Sequence, residues 1–136
     1  KDGKVTRAVT DMPGTNGLAF SPDEKYLYVN ASVNKFVNRY DVRPDDTLAN
    51  GRKLIDITME PGNGITDGPR VDTKGNLYET APGGGIWIIS PEGKHLGTIK
   101  VPEISANLAF GDADKKTLYI AARTGIYKIR VNTPGI

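Results

Sequence analysis

The chain has 136 residues, enough for one ordinary domain, with 38% hydrophobic and 25% charged residues, the balance of a soluble globular protein. Net charge is +2 and the charges are interspersed. No basic stripe argues for nucleic acid or a membrane surface, and no apolar stretch approaches the roughly 18 residues of a membrane span. The absence of cysteine excludes disulfides and thiolate metal sites without deciding the compartment.

Sixteen glycines and nine prolines interrupt the chain every few residues and leave little room for a helix. Short runs rich in Val, Ile, Leu, Tyr and Phe between turn signals read as strands. Lys1-Asp2-Gly3-Lys4 reads as a hairpin tip and Val5–Val9 as a strand without a preceding partner, so the chain reads as beginning mid-protein. Leu18–Ser21 and Tyr26–Asn30 follow, separated by a turn at residues 22–25. After a polar connection come Phe36–Val42, a connection through Leu48–Gly51, and an outer strand at Arg52–Ile57. The next group is Pro69–Asp72, Asn76–Thr80, Ile86–Ser90 and His95–Lys100. The last is Leu108–Phe110, Thr117–Ala121 and Gly125–Val131, one strand short of a full set.

These groups are copies of one phrase. Asn16-Gly17-Leu18-Ala19-Phe20 with Tyr26-Leu27-Tyr28-Val29 returns as Asp67-Gly68-Pro69-Arg70-Val71 with Asn76-Leu77-Tyr78. It returns again as Ala106-Asn107-Leu108-Ala109-Phe110 with Thr117-Leu118-Tyr119-Ile120. Four-stranded antiparallel meanders of roughly 40–50 residues have the dimensions of propeller blades. The predicted fold is therefore all-β, with about three blades at 16–57, 67–100 and 107–131, half of a six-bladed β-propeller. Residues 1–10 would be the last strand of a preceding blade. Runs such as Ile86-Trp87-Ile88-Ile89 are apolar on both faces, as sheets sandwiched between neighbours require. Three blades cannot close a ring, so the other half is missing or another chain supplies it.

The first strand of each blade lines the central channel. Aligned copies make Asn16, Asp67 and Ala106 equivalent at one mouth. An amide oxygen and a carboxylate converging there are donors that Ca²⁺ accepts, and Gly17 and Gly68 allow the close backbone approach of a narrow channel. An Asn-Gly or Asp-Gly pair is also an ordinary turn, and spacing alone leaves both readings open. Asn107 is one register off and reads as bonding to backbone at a strand start.

At these residues the sequence resembles the gluconolactonase, SMP-30 and luciferin-regenerating-enzyme family of six-bladed propellers, in its bacterial gluconolactonase branch. NGLAFSPDEKYLYV (16–29), TDGPRVDTKGNLY (66–78), GGIWIISPEGKHLGTI (84–99) and NLAFGDADKKTLYI (107–120) carry the likeness. The likeness covers the whole chain and the C-terminal half of the family's protein. It implies one divalent cation at the mouth, commonly Ca²⁺, with Zn²⁺, Mg²⁺ or Mn²⁺ as substitutes. Asn16 matches the Asn of the family's NGL motif and Asp67 the Asp of its PDG motif. Thr15 and Thr66 stand where the family usually has Pro. The family's N-terminal Glu and earlier Asn ligands have no counterpart here. The implied chemistry is hydrolysis of a sugar lactone, with Asp67 as metal ligand and catalytic general base.

Asn34 and Asn38, in the polar stretch after the second strand, are candidate substrate contacts, as are Arg70 and Asn107. Arg70 either points into the channel and neutralises carboxylates or bonds to carbonyls of the next blade. Glu79 either pairs with Arg123 or Lys35, the reading favoured here, or lies near the mouth as a substrate contact. Trp87 reads as inter-blade packing and His95 as a surface residue, and no Ser-His-Asp or Cys-His arrangement is available. The rival readings are a non-catalytic calcium- or sugar-binding propeller and an inactive half-propeller that needs a second half to form the site. Two copies closing one ring about a two-fold axis would place two Asn16 and two Asp67 at one mouth.

Overall fold

A computed structural model of the chain describes residues 3–136. Eleven strands form three antiparallel sheets, each paired in chain order. Blade 1 is β1 (Thr15–Phe20), β2 (Tyr26–Ala31), β3 (Phe36–Val42) and β4 (Leu48–Asp56). Blade 2 is β5 (Arg70–Val71), β6 (Leu77–Thr80), β7 (Ile86–Ile89) and β8 (His95–Ile99). Blade 3 is β9 (Ser105–Gly111), β10 (Thr117–Ala122) and β11 (Ile126–Arg130), a three-stranded sheet. Each is a propeller blade, with β1, β5 and β9 adjacent along a groove lined by Leu18, Pro69, Val71 and Phe110.

Side-chain alternation along the second strands decides which blade meets which. Leu77 and its blade 3 equivalent Leu118 face the preceding blade, and Tyr28 and Tyr78 face the following one. Tyr28 and Val37 of blade 1 pack with Val71, Leu77 and Ile89 of blade 2, and Trp87 lies against them. Tyr78 and Ile86 of blade 2 pack with Leu108, Leu118 and Ile120 of blade 3, where the Tyr78 and Phe110 rings meet edge to face at 5.2 Å. Edge-to-face pairing sets the positive ring edge against the negative ring face. The third cluster, Leu27, Val29 and Tyr40, is on blade 1's far side and is covered partly by Val9 and Met12.

Two expectations change. Residues 5–9 form no strand, and Val5 is 95% exposed. An isolated extended segment has no ladder to satisfy its backbone, so Val9 contributes packing and no pairing. Lys1 and Asp2 of the expected hairpin tip lie outside the described residues. Leu48–Gly51, read as connection, belongs to β4. The pairing of β3 with β4 shifts register twice, and Asn50 takes a positive φ of 51° inside the strand. Such irregularities let a turn-like Ala-Asn-Gly sequence continue a ladder.

Ile89 has no exposed surface and joins the blade 1–blade 2 cluster. Ile89→Ala should cost about 2–5 kcal/mol, the usual range for such a truncation. Met59→Ala, at a side chain 94% exposed, should stay within about 0.5 kcal/mol. Urea unfolding of both variants checks the contrast.

Candidate active site

The opening residues of blades 1 and 2 meet at one end of the channel groove. In β1 the register slips between Thr15 and Leu18, so Asn16 and Gly17 form a bulge at the strand's mouth end. Bulges re-aim side chains, and here Asn16 turns toward blade 2. Its Nδ2 donates to Asp67 Oδ1 at 2.9 Å across 51 positions of sequence. Blade 2 is joined to blade 3 in turn by Gly68 N, which donates to Ala106 O at 3.1 Å. The three residues aligned by the repeat are thus neighbours around the channel. Asn16 is exposed and Asp67 half-buried, so the pair is open to solvent.

Both glycines serve close approach. A Cβ on Gly17 would stand 1.8 Å from Asp67 O and 2.2 Å from Pro69 Cδ. On Gly68 it would stand 2.4 Å from Asn107 Oδ1. Neither needs a left-handed backbone; each simply leaves room for the next blade.

Beneath the pair the structure places two polar side chains with no exposed surface, Asn30 at the end of β2 and Glu79 in β6. Asn30 Oδ1 accepts from Gly17 N at 2.9 Å, and its Nδ2 donates to Asp67 O at 2.7 Å and Glu79 Oε1 at 3.0 Å. Glu79 Oε1 also accepts from Asp67 N at 3.2 Å, a group shared with Thr80 Oγ1 at 2.8 Å. Burial pushes the Glu79 carboxyl up to about 8, against the downward pull of its bonds to Asn30 and the Asp67 N–H. Glu79 therefore pairs with neither Arg123 nor Lys35. Asn30 was not singled out from the sequence, although an amide inside the run Tyr-Leu-Tyr-Val-Asn-Ala signals a buried polar contact.

The remaining candidates scatter. Arg70 Nη1 donates to its neighbour's carbonyl, Pro69 O, at 2.6 Å, and Nη2 reaches Asn107 Oδ1 at 3.3 Å. Asn107 Oδ1 also accepts from Leu108 N at 2.8 Å, a backbone bond as expected, though β9 already begins at Ser105. Asn34 is exposed in the β2–β3 turn, at the same end of blade 1 as Asn16. Asn38 is mid-strand in β3 and donates to Tyr40 OH at 3.3 Å, away from the pair. His95 is exposed and stacks on Trp87 at 3.8 Å.

Asn16 and Asp67 suit a hard cation in kind, since amide and carboxylate oxygens are what such ions take. Two such side chains fall short of the six to eight oxygens that a calcium shell takes. Among the described residues no three His, Cys, Asp or Glu side chains gather in metal-binding geometry. To present its oxygen the Asn16 amide turns end for end, since it now offers Nδ2 to Asp67.

Three propeller blades with this pair at the channel mouth define the class, and the chain belongs to the SMP-30/Gluconolactonase/LRE-like family, whose model matches residues 1–124. It is 36% identical to the gluconolactonase of Zymomonas mobilis, a match over 98% of this chain and 39% of that protein. Among solved structures it resembles a gluconolactonase from Xanthomonas campestris (29% identity, 94% of this chain and 40% of that one, TM-score 0.77). It also resembles regucalcin, a calcium-binding protein from Agrobacterium tumefaciens (25% identity, 87% and 41%, TM-score 0.76). The chain spans less than half the length of each of these three relatives.

Gly17→Ala should force the blade 1–blade 2 mouth apart and cost about 1–3 kcal/mol, as overpacking does. Gly97→Ala, where an added Cβ meets nothing within 4 Å, should stay within about 0.5 kcal/mol. Chemical denaturation of the two variants tests the difference.

Proposed function

We propose that this chain carries part of the site of a divalent-cation-dependent sugar lactonase, and that Asn16 and Asp67 are its contribution to the cation shell. The observation that carries the reading is the meeting of these two side chains, from successive blades, at the solvent-open end of the channel. The likeness to gluconolactonases supports the substrate class, and the likeness to a calcium-binding regucalcin supports Ca²⁺ as the ion.

A bound divalent cation supplies Lewis acidity at the lactone carbonyl. Asp67, partly exposed, would take a proton from the water as its oxygen adds to the lactone carbonyl and return it to the ring oxygen as the ester C–O bond breaks. Asn16 contributes a neutral donor, which leaves more positive charge for the substrate than a second carboxylate would. Arg70 and Asn107, already bonded to each other, would meet sugar hydroxyls on the blade 2–blade 3 side, a reading their mutual bond supports. Asn34, exposed in the turn at the same end of blade 1, is a further candidate contact, whereas Asn38 points to Tyr40 and takes no part.

The remaining donors come from outside this set. A second copy closing the ring would bring another Asn16 and Asp67 to the same mouth. The exposed far face of blade 3, where Ile126 is 78% exposed, favours such a cover. Cation binding without turnover is the second reading, drawn from the regucalcin likeness.

Sedimentation of the 136-residue chain at micromolar concentration is expected to give a dimer, and a monomer removes the ring-closing reading. Opening of δ-gluconolactone, followed in a pH-stat, should require calcium and stop with excess chelator. Calcium binding with no lactone opening would favour the binding-only reading. Asp67→Ala should slow turnover about 10²–10⁴-fold while unfolding stays cooperative. Undiminished turnover in that variant overturns the assignment.

A further inference from the structure

The buried cluster behind the mouth has no part in the chemistry above, and its bonds go to few places. Asn30 touches Gly17, Asp67 and Glu79; Glu79 touches Asn30 and Asp67. The Asp67 peptide is therefore gripped on both sides, its N–H by Glu79 and Thr80 and its C=O by Asn30. The same Asn30 side chain fixes the peptide that follows Asn16. One buried amide thus joins the backbones on which both mouth side chains stand, across the seam between two blades.

A carboxylate at position 79 is not needed to build a blade. The repeat aligns Glu79 with Val29 and Ile120, which occupy the same place in blades 1 and 3 and pack as hydrophobes. Burying a carboxylate costs free energy that a Val or Ile avoids. The protein accepts that cost at the one seam where two candidate ligands meet.

We propose that Asn30 and Glu79 are positioning residues that set the separation of Asn16 and Asp67, and with it the bite of the cation site. The proposal rests on the reading of that pair as cation ligands. Its mechanical part, the fixing of two peptides, stands on the geometry alone. Neither residue touches the cation; each acts through the backbone of a residue that does. Partners of this kind, one step removed from a metal, typically change affinity about 10–100-fold when lost.

The test uses the full chain, amide hydrogen exchange and calcium titration by calorimetry. In the wild type, Gly17 N–H and Asp67 N–H should exchange slowly, although Gly17 sits in the β1 bulge and Asp67 precedes β5. If either exchanges like an exposed loop amide, the linkage does not exist and the proposal falls. Glu79→Leu leaves Asp67 N–H only its Thr80 partner, so it should speed exchange there, shift the Asn16 side-chain amide resonance and weaken calcium binding at least about tenfold. Glu79→Gln, which keeps Oε1 as acceptor, should restore most of the affinity and the Asp67 protection. Equal weakening in both variants would make Glu79 a matter of charge and overturn positioning, as would wild-type affinity in Glu79→Leu.

Should Glu79→Leu not fold, Asn30→Asp keeps the acceptor for Gly17 and removes the donor to Asp67 O. It should shift the Asn16 side-chain amide resonance and weaken calcium binding at least about tenfold while Gly17 N–H stays protected, and an unchanged resonance with unchanged affinity is equally fatal. Failure of the wild-type chain to bind calcium, with both amides protected and the Asn16 resonance shifted in Glu79→Leu, removes the cation reading and leaves the mechanical linkage in place.

Discussion

Sheets with two apolar faces must be covered on both, and that constraint organises this protein. Tyr28 and Tyr78 carry each blade's surface into the next, and Leu77 and Leu118 carry it back. Because successive strand residues point to opposite faces, a one-residue slip would exchange the neighbours of every side chain in a blade. Register is therefore fixed by packing on two sides at once. The close approach that results explains why Gly17 and Gly68 have no room for a side chain.

The mouth is where this apolar stacking meets solvent, and polar groups take over the seam there. Strand ends leave backbone groups unpaired, and a buried unpaired group costs about 1–3 kcal/mol. Asn30 answers two such demands, at Gly17 N–H and Asp67 C=O, and meets the Glu79 carboxyl with the same side chain, and Thr66 and Ser32 exchange bonds with the neighbouring backbone in the same layer. Buried networks of this type are useful only when every member is satisfied. The solvent-facing pair above inherits its geometry from the satisfied layer beneath.

Much of this was readable in the sequence, because a repeat makes its copies equivalent in the chain itself. Aligning three phrases placed Asn16 beside Asp67, residues 51 positions apart, and predicted the two-sided strands. The partners of Glu79 were not readable. Its spacing invited a search for a cation, whereas the buried carboxylate is met by an amide and a backbone N–H from across the seam. Pairwise contacts between blades depend on side-chain direction at strand ends, which periodicity does not carry. Leu48–Gly51 misled for a local reason, since Asn-Gly chemistry signals a turn and here only bends a long strand. Val5–Val9 has strand composition without a strand's neighbours, and composition cannot supply those.

The seam between the first two blades joins an apolar floor to a polar roof, and the two mouth side chains stand on opposite sides of it. Parting it by a few ångströms would separate Asn16 from Asp67 while each blade kept its own ladders. Loss of the site and melting of the strands are therefore distinct events with distinct free energies. On gentle heating or in dilute denaturant, such a protein would lose the contact between Asn16 and Asp67 while its circular dichroism still reported intact β-sheet.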